Sequence, residues 1–143
     1  MVNIAENVEK HPGLRFVDKL NTDSDKQKLS LAAVELAQSL DARCIVVITR
    51  RGVMADLVCN CRPVYSDIYA FTNVSQARRT MVMGRGIRPF RIAFSQDPEK
   101  TLQTAFNVLK KREGFQSEEK VVVISDVLAG SGKIDAIQIR HLP

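Results

Sequence analysis

Residues 44–63 read CIVVITRRGVMADLVCNCRP. Cys44 to Ile48 is an unbroken apolar run rich in β-branched residues, the pattern of a strand covered on both faces of a sheet. Thr49, Arg50 and Arg51 end it abruptly, Gly52 follows, and from Val53 the apolar positions change to helical spacing, with Val53, Leu57 and Cys61 on one stripe. A strand, a tight turn and a helix start are therefore predicted in succession. Such a junction aims the first backbone N–H groups of the helix past the carboxyl end of the strand, and a glycine lets the backbone come close to a ligand. Thr49, Arg50, Arg51, Gly52 and Val53 thus form a candidate anion seat, with arginine forks suited to phosphate or carboxylate. The plainer alternative is an ordinary strand-to-helix turn with solvated arginines, since every α/β domain has several. No Lys-Ser or Lys-Thr follows Gly52 and no second glycine frames the turn, so it is neither a Walker loop nor a dinucleotide fingerprint.

On the amino-terminal side, apolar residues at Leu29, Ala32, Ala33, Leu36, Ala37 and Leu40 recur at helical spacing behind a cap at Ser24 or Asp25. Residues 1–23 are a mixed lead-in with a turn at His11-Pro12-Gly13 and a small apolar cluster, so a single domain is expected over 24–143. On the carboxyl-terminal side, Asp67 to Phe71 reads as a second strand, Val74 to Val82 as a helix, and Ile87 to Phe94 as a third strand whose Pro89 suits a sheet edge. Asp97-Pro98-Glu99 opens a long helix with an apolar face of Leu102, Ala105, Phe106 and Leu109, stopped at Gly114. Val121 to Ser125 is the second wholly apolar strand, and Ala136 to His141 alternates as a half-exposed last one. Strands alternating with helices imply a three-layer α/β/α sandwich, and the short link before the final strand leaves no room for a crossover helix, which makes that strand antiparallel.

The whole chain sets outer limits. Its 143 residues, 45% hydrophobic and 26% charged, suit one globular domain, and the net charge of +5 is spread without a basic stripe interleaved with aromatics, so nucleic acid is a minor candidate partner, through Arg78, Arg79 and Arg85. Cys44, Cys59 and Cys61 lack a matching second pair or nearby histidines for a zinc site, which leaves the metal set empty and reads as reduced cytoplasmic thiols. No apolar run is long enough to span a membrane and no secretory leader is apparent.

In a sheet of this type ligands gather outside the carboxyl ends of the strands. The loop Asp126 to Lys133, DVLAGSGK, follows the second apolar strand, and Gly130, Ser131, Gly132 and Lys133 could fold over an anion held by the turn at Thr49 to Val53. The alternative is a plain hairpin with glycines for backbone reasons. A stand-alone small enzyme or binding protein for a phosphorylated or nucleotide ligand would need its acid, base or nucleophile here. The nearest candidates are Asp126, Ser131 and Asp135, whereas His11 and His141 are badly placed.

Four segments in order, SLAAVELAQSL, IVVITRRGVMADLVCNCRP, QARRTMVMGRGIRPF and VVVISDVLAGSGKIDAIQI, resemble the carboxyl-terminal domain of pyruvate kinase over about residues 25–143. The resemblance implies a five-stranded mixed sheet with the last strand antiparallel, set against a catalytic barrel whose residues have no counterpart here. It implies a non-catalytic regulatory and assembly domain that binds a sugar phosphate such as fructose bisphosphate, or inorganic phosphate or sulfate, and contacts its like in a homo-oligomer. The effector-binding set would be Thr49, Arg50, Arg51, Gly52 and Val53 with Gly130, Ser131, Gly132 and Lys133. No cofactor is implied for this chain, and Mg and K ions with ADP/ATP for the parent enzyme. The family's turn is rich in hydroxyls, whereas only Thr49 keeps one here. A basic residue of the long helix corresponds to Gln103, and the loop's Asn falls near Asp135. Either a piece of a longer kinase or a free-standing paralogue fits these features.

Overall fold

A computed structural model of the chain describes residues 23–64, 66–126 and 135–143, together with Ile4, Asn7 and Val8. The central run is the strand its composition demands: β1, Cys44–Ile48, is buried at every position. Around it stand α1 (Asp25–Ser39), α2 (Val53–Asn60), β2 (Asp67–Thr72), α3 (Ser75–Met81), β3 (Ile87–Arg91), α4 (Pro98–Glu113), β4 (Lys120–Ser125) and β5 (Ala136–His141). The sheet order is β3-β2-β1-β4-β5, all neighbours parallel except the β4–β5 pair. The two wholly apolar strands are thus central neighbours, and β3 with Pro89 is an edge, where a residue without an N–H interrupts no inner ladder.

Alternation along β1 sorts the core into two halves. Ile45 and Val47 face α1, α2 and α3, packing with Val34, Met54, Val58 and Met81. Cys44, Val46 and Ile48 face α4, packing with Leu102, Ala105, Phe106 and Leu109. The three layers are therefore α1, α2 and α3, then the sheet, then α4. Asp97 caps α4 by accepting from the Glu99 N–H at 3.0 Å, Pro98 fills its first turn, and Gly114 ends it with φ +72°. Ser24 and Gln27 form a capping box at the start of α1. Edge strand β3 is held to α4 through Glu113, whose Oε2 accepts from Arg88 Nη1 at 2.9 Å and from the Tyr69 hydroxyl at 3.3 Å.

Two helix faces differ from the periodicity reading. In α1 the buried residues are Ser30, Ala33, Val34 and Ala37, with Ala32 exposed. In α2 they are Met54, Ala55 and Val58, while Val53 is 43% exposed. In both helices several apolar neighbours compete for one stripe, and the angle at which the helix meets the sheet selects among them. The third strand ends at Arg91, three residues short of the predicted Phe94.

On its side of the sheet α4 supplies most of the apolar cover, and Phe106 is only 2% exposed. Phe106→Ala should lower the unfolding free energy by about 3–5 kcal/mol. Urea denaturation should show this as a lower midpoint with an unchanged slope.

Candidate functional site

Where β1 leaves the sheet, its first polar side chain does not turn to solvent. Thr49 is fully buried, and its N–H extends the ladder to the Phe71 carbonyl at 2.9 Å. Its Oγ1 accepts from the Gly52 N–H at 3.2 Å, which closes the turn, and donates to Asp126 Oδ2 at 3.4 Å. The neighbouring strand end is tied in the same manner: Thr72 Oγ1 donates to the Arg50 carbonyl at 2.8 Å and accepts from the Val74 N–H at 3.1 Å. Two buried threonines at adjacent strand ends thus hold the turn from both sides.

Gly52 is required at its position on two counts. Its φ of +87° is left-handed, and a Cβ there would lie 3.0 Å from Met81 Cγ. It directly precedes α2, whose first N–H groups have no partner within the helix and no side-chain cap. The side chains of Arg50 and Arg51 are exposed, and neither has an ion-pair partner among the described residues.

The sheet order places its reversal point between β1 and β4. From β1 the chain runs outward through α2 and α3 to β3, then α4 carries it back across the other face to β4. The crevice beyond the carboxyl ends of two strands at such a reversal is where open α/β sheets hold ligands. Here Asp126 stands in it. Its N–H donates to the Ile48 carbonyl at 3.3 Å, and its carboxylate is 3.4 Å from Lys26 Nζ of the first turn of α1. Lys26 also lies 3.5 Å from Asp135 Oδ1, so one ammonium bridges two carboxylates. Oδ1 of Asp126 is buried and has no hydrogen-bond partner among the described residues.

Of the predicted set, Thr49, Arg50, Arg51, Gly52 and Val53 share this one turn, while Gly130, Ser131, Gly132 and Lys133 lie outside the described residues. Asp126 and Asp135 are brought together, as sequence position suggested, but through Lys26, which carried no signal beyond being one charge among several at a helix start. Gln103 is exposed on α4, its side chain 3.5 Å from Glu99 Oε1. His141 pairs with Lys120, at the end of the sheet away from Asp126, and His11 is outside the described residues. All three cysteines are free; burial pushes the Cys61 thiol up to about 11 and raises Cys44 and Cys59 as well, so none offers a thiolate nucleophile near neutral pH. No group of three or more potential metal ligands occurs among the described residues.

A family model described as "Pyruvate kinase, alpha/beta domain" matches residues 27–140. The chain belongs to the pyruvate kinase alpha/beta domain family. Pyruvate kinase isozyme A, chloroplastic, from Nicotiana tabacum is 33% identical over 122 residues, covering 85% of this chain and 19% of that protein. Pyruvate kinase 2 from Synechocystis sp. is 26% identical over 141 residues, 98% of this chain and 24% of the relative. The chain therefore spans about a fifth to a quarter of these relatives' length. A solved structure, Cryptosporidium parvum pyruvate kinase in complex with ADP, superposes with a TM-score of 0.77 over 87% of this chain and 25% of that one at 22% identity, which establishes the common fold. Among the described residues of this pyruvate kinase domain no helix is long and apolar enough to cross a membrane.

Because φ at Gly52 is left-handed and Met81 closes over it, Gly52→Ala should cost about 1–3 kcal/mol of stability. Thermal denaturation of the two proteins side by side measures it, and an unchanged midpoint would show that the turn relaxes freely.

Proposed function

We propose that this chain acts as the regulatory and assembly domain of a pyruvate kinase-like glycolytic enzyme, working in the cytoplasm or, like the chloroplastic relatives, in a plastid. In this reading it performs no phosphoryl transfer alone; that chemistry, with its Mg and K ions and ADP/ATP, belongs to a catalytic barrel of the same protein. Its own task is to hold a phosphorylated effector and to contact other subunits. The observation that carries the reading is the turn at the carboxyl end of β1. Thr49, Arg50, Arg51, Gly52 and Val53 stand there at the reversal point of the sheet, Gly52 supplies the left-handed turn into α2, and two arginines with no acidic partner among the described residues lie exposed beside the start of that helix. Helix N-termini and arginine forks both favour phosphate oxygens. Gly130, Ser131, Gly132 and Lys133 complete the proposed set.

Calorimetric titration of the chain with fructose bisphosphate and with inorganic phosphate tests this. Saturable binding is expected, weakened about tenfold or more when Arg50 and Arg51 are both replaced by alanine, which is the scale of losing one or two charge-assisted hydrogen bonds. Binding that is indifferent to both arginines would remove the effector role from this turn.

The assembly role makes a separate expectation. Light scattering across a range of concentrations should show self-association, and a monomer throughout would count against subunit contacts by this domain.

A further inference from the structure

The charges about the crevice between β1 and β4 differ in their burial. Arg50 and Arg51 are exposed, whereas among the described residues the largely buried carboxylate of Asp126 and the exposed one of Asp135 share the ammonium of Lys26. Thr49 has one hydroxyl proton to donate. It is directed to Asp126 Oδ2, while Thr49 Oγ1 itself accepts from the Gly52 N–H. Among the described residues, the Thr49 hydroxyl and the Lys26 ammonium are thus both engaged by one carboxylate oxygen. The Asp126 side chain is only 14% exposed, and its backbone is anchored to the end of β1 through the Ile48 carbonyl.

We infer that Asp126 is an internal anion. Its carboxylate takes the donors that the turn would otherwise offer to a phosphate, so a phosphorylated ligand at this turn binds in competition with it. The inference rests on the anion-seat reading above and adds a determinant of affinity to it. Two physical consequences follow. A ligand phosphate must displace Asp126 from Thr49 and share or capture Lys26. It must also do so beside a like charge, and in a partly buried site a like charge is screened far less than at an open surface. Lys26 is then a positioning residue: by neutralising Asp126 and Asp135 it lowers the repulsion that any incoming anion meets.

The test is titration of inorganic phosphate and of fructose bisphosphate into the unaltered chain, Asp126→Asn, Lys26→Met and the Arg50→Ala/Arg51→Ala double variant. Asp126→Asn keeps the shape and loses the charge, and Asp126→Ser provides a second charge-free variant should the amide not fold. Circular dichroism establishes that each is folded. Removal of the Asp126 charge is expected to tighten phosphate binding about tenfold or more, and Lys26→Met to weaken it. Phosphate binding by the charge-free variants no tighter than by the unaltered chain overturns the inference. If that happens while the arginine variant still loses binding, the anion seat stands and only the competing role of Asp126 falls. If the charge-free variants gain affinity and the arginine variant changes nothing, Asp126 is the competitor and the arginines are not the seat. Absence of phosphate binding to every one of these proteins overturns both.

Discussion

Everything in this domain is referred to the parallel pairing of β1 with β4. Cys44 to Ile48 lies alongside Val121 to Ser125 residue for residue, and neither strand shows an exposed position in that stretch. Two such strands can exist only if both faces of the sheet are covered, because a β-branched surface left open to water would forfeit roughly 25 cal/mol for each Å². That single requirement places α1 and α2 on one side and α4 on the other. It also decides where a crevice can form, since the chain reverses its direction of travel across the sheet at this seam.

The polar groups at the carboxyl end of the seam are fastened to one another before any ligand is considered. Thr49 holds Gly52 and Asp126, and Lys26 holds Asp126 and Asp135. In sum, α1, the β1 turn, the end of β4 and the start of β5 meet through a handful of hydroxyl and charge contacts. Each of those contacts is long for a hydrogen bond, at 3.2 to 3.5 Å, and Lys26 is partly exposed, so none of them is individually strong. A site built from several weak partners can exchange them for stronger ones, which a rigid set of short bonds would resist.

How far the sequence reveals this depends on the range of the interaction. The strands were legible from their runs of Val and Ile, the long helix from Asp97, Pro98 and Gly114 at its ends, and the antiparallel last strand from the length of the link before it. All of these are properties of neighbours in the chain. Which stripe of α2 is buried was not legible, because Val53, Met54, Ala55, Leu57 and Val58 are all apolar and only the approach to the sheet separates Met54 and Val58 from Val53. The turn at Thr49 to Val53 was legible as a place, but the direction of the Thr49 hydroxyl was not. It points to an aspartate 77 positions away, and the lysine that completes the contact is 100 positions from that aspartate. No local pattern encodes such a meeting; it exists only once the sheet has been assembled.

The order of strands also governs how the chain comes to be built. The innermost strand is the first to be made, yet one of its two partners, β4, is the fourth strand in the sequence. During synthesis β1 can find β2 soon after both emerge, while its other edge stays open until α4 and β4 have followed. An open edge of β-branched residues is a template for pairing with other chains, and closing so distant a contact is slow compared with local structure. The interval between completion of β2 and arrival of β4 is thus the stage at which this domain is most exposed to aggregation, and a nascent chain stalled there would be a natural client for a chaperone.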